Sequence, residues 1–170
     1  AEVLASINPR WRLNTPDEFA SLLVKPLAGA HKYSRGSALM VSGGPWNTGA
    51  ARLAAMSALR VGAGLVTMAG SQAALPILAG HLTAVMLLKA DNAHDLARIL
   101  GDKRITACGI GPAVGVGHDT IEKVLGVLAA GCGVVLDADA LTSFAGNAEL
   151  LFDAIAAKPE RQVILTPHEG

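Results

Sequence analysis

The chain has 170 residues, enough for one domain with a substantial core and too few for two of ordinary size. Its 14 basic and 14 acidic residues cancel and the basic ones do not cluster. That argues against nucleic acid as the main partner, because phosphate binding needs concentrated Lys and Arg. Apolar residues reach 51% while aromatic ones stay at 4%, a bulk of Ala, Leu, Val and Gly that suits closely packed parallel α/β layers. No apolar run is long enough to span a bilayer and no signal peptide opens the chain, so the sequence predicts a soluble cytoplasmic protein with no membrane partner.

Residues 1–30 carry Pro9, Pro16 and Pro26, which fragment regular structure. The expectation is a linker with a short helix over Asp17 to Leu23, Thr15 as N-cap, Pro16 at the first helical position and Trp11 as an apolar anchor. Residues 31–170 form the main domain. Ser37 to Ser42 reads as a strand, ended by Gly43, Gly44 and Pro45. Asn47 or Thr48 caps a helix whose face runs through Ala50, Leu53, Ala54, Ser57, Ala58 and Val61 until Gly62 stops it. A strand follows from Leu65 to Ala69. Since a helix crosses between them, the two strands must be parallel.

The alternation then continues. A short helix over Ser71 to Leu78 is limited by Pro76, and Thr83 to Leu88 is a strand. Asp91 to Leu100 is a helix capped by Asp91 or Asn92, and Ile105 to Ile110 the next strand. Asp119 to Ala129 is a helix with Ile121, Val124, Leu125 and Leu128 on one face. Gly133 to Leu136, a helix over Asn147 to Ala157, and a strand over Gln162 to Leu165 complete it. The fold class is therefore α/β, a mainly parallel sheet with helices on both faces. Cys108 and Cys132, each in an apolar strand context, read as reduced, unpaired small hydrophobes. The Ala-rich helices are compatible with a homo-oligomer.

In open α/β sheets ligands bind beyond the carboxyl ends of the strands. Four loops gather there: Gly43–Thr48, Gly109–His118, Asp137–Leu141 and Thr166–Gly170. The first feeds a helix N-terminus, whose free N–H groups suit an anion. It opens Thr48-Gly49-Ala50-Ala51 without the lysine of a P-loop, and its glycines can equally serve only to turn the chain. The second, Gly109-Ile-Gly-Pro-Ala-Val-Gly115-Val-Gly117, approaches a dinucleotide fingerprint, with Asp137 at the distance of a ribose-binding acid, but Val114 stands where a third glycine or alanine is wanted. Asp137 and Asp139 can bind a metal or a ribose hydroxyl, or cap the turn and the helix after it. His168 can hydrogen-bond a ligand or act as acid or base. Lys32 and Arg35 can meet a phosphate or lie solvated at the surface. No nucleophile–base pair is present, and no Gly-x-Ser-x-Gly elbow.

The ordered set HKYSRG (31–36), VSGG (41–44), TGAARLAA (48–55), ALRVGAGLVT (58–67), GIGPAVG (109–115), VLDADAL (135–141) and LTPHEG (165–170) resembles the ADP- or ATP-dependent NAD(P)H-hydrate dehydratases. That resemblance implies a ribokinase-like, three-layer αβα fold and a lyase that repairs hydrated NADH or NADPH. The reaction it implies is phosphoryl transfer from ADP or ATP, with Mg2+, followed by elimination of phosphate. It assigns hydrate binding to Gly49, Ala50, Gly111, Ala113, Gly115, Asp137 and His168, with no metal ligand. The family's usual Gly-Pro-Gly has Ala113 at its second glycine here. The Gly-Thr-Gly anion hole with its catalytic aspartate, and a lysine-glycine segment for the adenylate, do not occur in these residues and would follow Gly170. The resemblance thus implies a fold incomplete at its C-terminus, a segment inactive alone, and an epimerase domain upstream. A small-molecule kinase of the same fold, of hydroxyethylthiazole or sugar type, and a non-catalytic nucleotide-binding module are the alternatives.

Overall fold

The computed structural model describes residues 14–22 and 29–168. Trp11, Pro9, Pro26, Leu23 and the Glu169-Gly170 end of the last motif lie outside the described residues. The chain falls into two compact units, Ala1–Ala30 and His31–Gly170. In the first, α1 spans Pro16–Phe19 and runs into a 3-10 turn over Ala20–Leu22. Pro16 lies in the first turn, where its missing N–H is not needed, while the Thr15 side chain makes no capping bond.

The second unit is a six-stranded sheet: β1 Ser37–Val41, β2 Leu65–Gly70, β3 Met86–Lys89, β4 Ile105–Ile110, β5 Gly133–Asp137 and β6 Val163–Thr166. All neighbours pair in parallel, in the order β3-β2-β1-β4-β5-β6. The order reverses between β1 and β4, the switch point beside which ligands of open α/β sheets bind. The crossovers are α2 Gly49–Val61, α3 Leu75–His81, α4 Ala93–Leu100, α5 His118–Ala130, and the pair α6 Asp139–Thr142 and α7 Ala148–Ala156.

The pleat alternates side chains between two cores. Leu39, Val41, Ala69, Cys108, Ile110, Val134 and Leu136 meet α4, α5 and α7 through Leu96, Leu100, Val124, Val127, Leu128 and Leu151. On the other face Ala38, Val66 and Met68 meet Ala51 and Ala55 of α2 and Leu78 of α3. The alanines let α2 approach closely. The row Met40, Gly109, Val135, Ile164 crosses this second face by strand register, and Val135 and Ile164 stay exposed on it. Arg161 is buried and donates to the carbonyls of Leu128, Ala154 and Ile155, tying together the C-terminal ends of α5 and α7. A cation suits both ends because each carries unpaired carbonyls.

Several expectations change at the element ends. The third strand starts at Met86, not Thr83, because pairing with β2 begins at Thr67↔Met86; Leu82 and Val85 are buried against the α3 side instead. Ser71 caps a turn by accepting from the Ala74 N–H at 3.3 Å. The helix itself begins at Leu75 with Pro76 in its first turn, so that proline starts the helix rather than limiting it. Neither Asn47 nor Thr48 caps α2: Thr48 is helical at φ −82° and makes no side-chain bond to the helix. Asn92 caps α4, while Asp91 accepts from the Gln72 N–H instead. Asn147 caps α7. Cys132 sits half-buried in the turn before β5 rather than in a strand.

Candidate functional site

The site is assembled at the carboxyl edge of the sheet from the loops after β1, β4, β5 and β6. The glycines there solve a packing problem between backbones. A Cβ on Gly43 would overlap the carbonyl of Ala113, so the β1 loop lies directly on the β4 loop. A Cβ on Gly111, at φ +145°, would overlap the backbone of Asp137, so the β4 loop lies on the end of β5. Gly43 is therefore more than a turn residue. Gly44, in contrast, faces open space. The near-fingerprint follows β4 rather than the first strand, and its Gly111 is required by Asp137, not by a pyrophosphate.

Two non-glycine residues in these loops have positive φ: Ala113 at +57° and Ala138 at +41°. Ala113 occupies left-handed backbone, which accounts physically for a glycine at the matching place in the motif it resembles. Ala138, with ψ −115°, lies outside every region an L-residue favours. Such strain persists where the surroundings over-determine it, and it clusters at functional sites.

The turn at Ala138 separates its two aspartates. Asp137 Oδ1 accepts from Thr166 Oγ1 at 2.7 Å, which joins the ends of β5 and β6. Asp139 Oδ2 accepts from the Gly115 N–H at 2.9 Å, across 24 residues of chain. Neither carboxylate caps α6, and among the described residues no group of three or more His, Cys, Asp or Glu is placed to hold a metal ion. The two carboxylates thus have separate partners, one on β6 and one on the β4 loop.

An apolar pocket of about 130 Å3 opens at this edge, lined among others by Met40, Ala51, Ala54, Gly109, Pro112 and Asp137. Asp137 is the ionisable group on its wall. Gly49 and Ala50 lie in the exposed first turn of α2; Gly49 borders a separate cavity with Arg52, Leu53, Met56 and His81, and no atom would meet a Cβ on it. Gly115 is exposed and Ala113 half-buried on the β4 loop; His168 is exposed two residues past β6. The structure thus puts all seven candidate residues at the carboxyl edge of the sheet, on loops, on a helix start or, for Asp137, at the last residue of β5, with Gly111 buried in the packing beneath. Trp46, in the loop after β1, is 92% exposed, a large aromatic in a Gly/Pro turn that no core claims.

Lys32 and Arg35 do not belong to the site. They precede β1 and so lie at the opposite edge. Arg35 donates to the Gly62 carbonyl at 3.1 Å and Lys32 stands over the Tyr33 ring. A larger cavity of about 420 Å3 opens there, lined by Lys32, Tyr33, Arg98 and Arg104 among others. Its arginines are already engaged, Arg104 with Asp102 and Arg98 with Asp95, so the smaller strand-end pocket is the better candidate.

The family model described as NAD(P)H-hydrate dehydratase matches residues 38–170. The bifunctional NAD(P)H-hydrate repair enzyme of Coxiella burnetii is 36% identical over 151 residues, covering 88% of this chain and 28% of that protein. The ADP-dependent (S)-NAD(P)H-hydrate dehydratase of Bacillus subtilis is 30% identical over 162 residues, covering 95% of this chain and 54% of that protein. Among solved structures, the ADP/ATP-dependent NAD(P)H-hydrate dehydratase of Bacillus subtilis, co-crystallised with ATP/Mg2+, superposes with a TM-score of 0.69 at 28% identity over 91% of this chain and 52% of its own. A ribokinase-like superfamily protein from Enterococcus faecalis gives 0.72 at 19% identity over 91% and 53%, a likeness of fold alone. The chain therefore spans about half the length of the dehydratases it matches and less than a third of the Coxiella burnetii repair enzyme. The fold is the ribokinase-like α/β fold that the motifs implied.

Proposed function

Since this chain belongs to the NAD(P)H-hydrate dehydratase family, we propose that its strand-end crevice binds hydrated NADH or NADPH and that the protein dehydrates it with ADP or ATP. One observation carries the reading: at the switch point of the sheet, an apolar pocket opens at the carboxyl ends of β1, β4 and β5, walled by Asp137 and by Ala51 and Ala54 of α2. An apolar pocket suits a nicotinamide ring. The N–H groups of the first turn of α2 suit its phosphates, and the Asp137 carboxylate suits a ribose or ring hydroxyl.

In the proposed reaction the hydrate's hydroxyl oxygen attacks the terminal phosphorus of the nucleotide, and its proton passes to a base or to solvent. AMP leaves from ADP, or ADP from ATP. The C–O bond then breaks, phosphate departs with the bonding electrons, and loss of a proton from the adjacent carbon restores the double bond. This chain's residues bind and orient the hydrate. Mg2+ bound with the nucleotide would neutralise charge on the transferred phosphoryl group. His168, exposed two residues past β6, is the proposed hydrogen-bonding group on that side. An upstream epimerase domain, a cytoplasmic setting and a homo-oligomer belong to the same proposal. No helix of the described residues is long and apolar enough to cross a membrane.

The test is a spectrophotometric assay of NADH recovery from its hydrate by the full-length protein, with ADP or ATP and magnesium. Nucleotide-dependent recovery is the expected result. Phosphorylation of hydroxyethylthiazole or a sugar, without recovery of NADH, would replace the dehydratase reading by the kinase one.

A further inference from the structure

We propose that Asp139 is a positioning residue: it latches the loop Gly111–Gly117 into the shape that receives the hydrate, and leaves Asp137 as the one aspartate of the pair that faces the ligand. The ligand named here rests on the function proposed above; the latch itself does not.

The loop needs such a device. Gly111, Ala113, Gly115 and Gly117 all have positive φ, at +145°, +57°, +91° and +143°, so the segment follows neither helix nor strand and cannot satisfy its backbone by a regular ladder. Its one bond within the loop runs from the Val114 N–H to the Gly111 carbonyl. Gly115, at the crest, is exposed and nothing packs where its side chain would be. Both of its backbone groups are nonetheless held by side chains. Its N–H donates to Asp139 Oδ2 at 2.9 Å, and its carbonyl accepts from Thr120 Oγ1 at 2.5 Å. Two residues further on, the Gly117 N–H donates to Ser143 Oγ at 3.2 Å, and Ser143 Oγ donates to the Asp139 carbonyl at 2.6 Å. Asp139 thus joins the loop by its side chain and, through Ser143, by its backbone. The bond from a carboxylate to an N–H is charge-assisted, the stronger kind of hydrogen bond.

The rival reading, in which both aspartates face the ligand, conflicts with this geometry. The turn at Ala138 points Asp137 to Thr166 on β6 and Asp139 to the loop after β4. Asp137 lines the apolar pocket and Asp139 does not.

Two variants of the full-length protein test the proposal, Asp139→Ala and Asp139→Asn; the second keeps an acceptor oxygen without the charge. Amide hydrogen exchange reads the latch. In Asp139→Ala, residues 113–117 should exchange on the order of 10- to 100-fold faster, the range expected when one bond to a charged group is lost, with the sheet strands unchanged. In Asp139→Asn the increase should be a few-fold. Steady-state kinetics read the role. KM for the NADH hydrate should rise at least about tenfold in Asp139→Ala, kcat and KM for ADP should hold within about twofold, and Asp139→Asn should recover most of the loss. If Asp139→Ala fails to fold, Asp139→Asn carries both readings at the smaller amplitude. Unchanged exchange at 113–117 would overturn the latch. Faster exchange with an unchanged hydrate KM would overturn its role in positioning, and a collapse of kcat in both variants would show Asp139 acting on the reacting atoms. A wild-type protein that does not consume the hydrate would sink the functional reading instead, and the exchange result alone would then decide the latch.

Discussion

Ala138→Gly should stabilise the protein, although glycine ordinarily weakens whatever it replaces. Ala138 sits at φ +41° and ψ −115°, where the Cβ of an L-residue collides with its own backbone. A residue held in so sparse a region costs about 1–3 kcal/mol. Removing the Cβ releases that strain. Against it stands the larger entropy that glycine brings to the unfolded chain, about 0.4–1 kcal/mol. The balance is a gain of about 1 kcal/mol, or roughly 2–4 °C in Tm for a domain of this size. Urea unfolding of the full-length protein measures it, as a higher midpoint at unchanged slope. Ala129→Gly, at an exposed position late in α5, is the control. There glycine relieves no strain and should cost about 1 kcal/mol. Ala113→Gly, in the milder left-handed region, should fall between the two, near zero. If Ala138→Gly lowers stability as Ala129→Gly does, the turn between the aspartates is not strained and the account of how it separates them fails.

Gly49→Val should leave Tm within about 2 °C, the shift of less than half a kcal/mol usual for a surface site, because a Cβ there meets no atom. It should abolish binding of the hydrate in a calorimetric titration by crowding the N–H groups of the first turn of α2, and unchanged affinity would remove the α2 start from the site. Both cysteines should titrate as free thiols after denaturation. In the native protein iodoacetamide should label half-buried Cys132 before Cys108, since burial pushes both thiols up and Cys108 the further. Asp102, held down by its hydrogen bonds to Arg104, should titrate at about 2 by carboxyl NMR. A depressed carboxylate contributes stability above its unfolded pKa, so whatever this exposed pair adds is lost only as pH falls through about 2. A midpoint near 3.8, the ordinary aspartate value, would show the pair to be open in solution.

Sequence periodicity located nearly every strand and crossover because burial writes both periods into a chain this apolar. The errors are at the ends, where periodicity stops and local bonds decide. Thr83 and Val85 look like strand residues, but β2 offers a partner only from Thr67 onward, and that partner is Met86. Pro76 looks like a breaker and is a helix start. The motif set placed the candidate residues at the carboxyl edge, since topology alone sends every strand-end loop of a parallel sheet there. It could not tell which glycine faces a ligand and which faces another backbone. Gly43, Gly49 and Gly111 are the same letter, yet a Cβ would strike Ala113 at the first, nothing at the second and Asp137 at the third. That distinction depends on which loops touch, a tertiary fact with no local signature.

The aspartate pair shows the same limit at finer scale. Residues two apart on a strand point to one face, so Asp137-Ala138-Asp139 after Val134-Val135-Leu136 invites a reading of two carboxylates converging on one metal or one ribose. That rule applies only while the strand continues. β5 ends at Asp137, and the next residue takes a backbone conformation that alanine is almost never found in. From there the period-2 rule has no standing. Asp139 starts a helical turn, bonds to a loop 24 residues back, and shares no ligand with Asp137. The strain at Ala138 is therefore what gives the two acids different work. One joins the ends of β5 and β6 through Thr166 while facing the pocket; the other holds the loop after β4. A substitution that let the strand run on through residue 139 would carry that second carboxylate away from Gly115, and the loop would lose its hold even with every site residue still in the sequence.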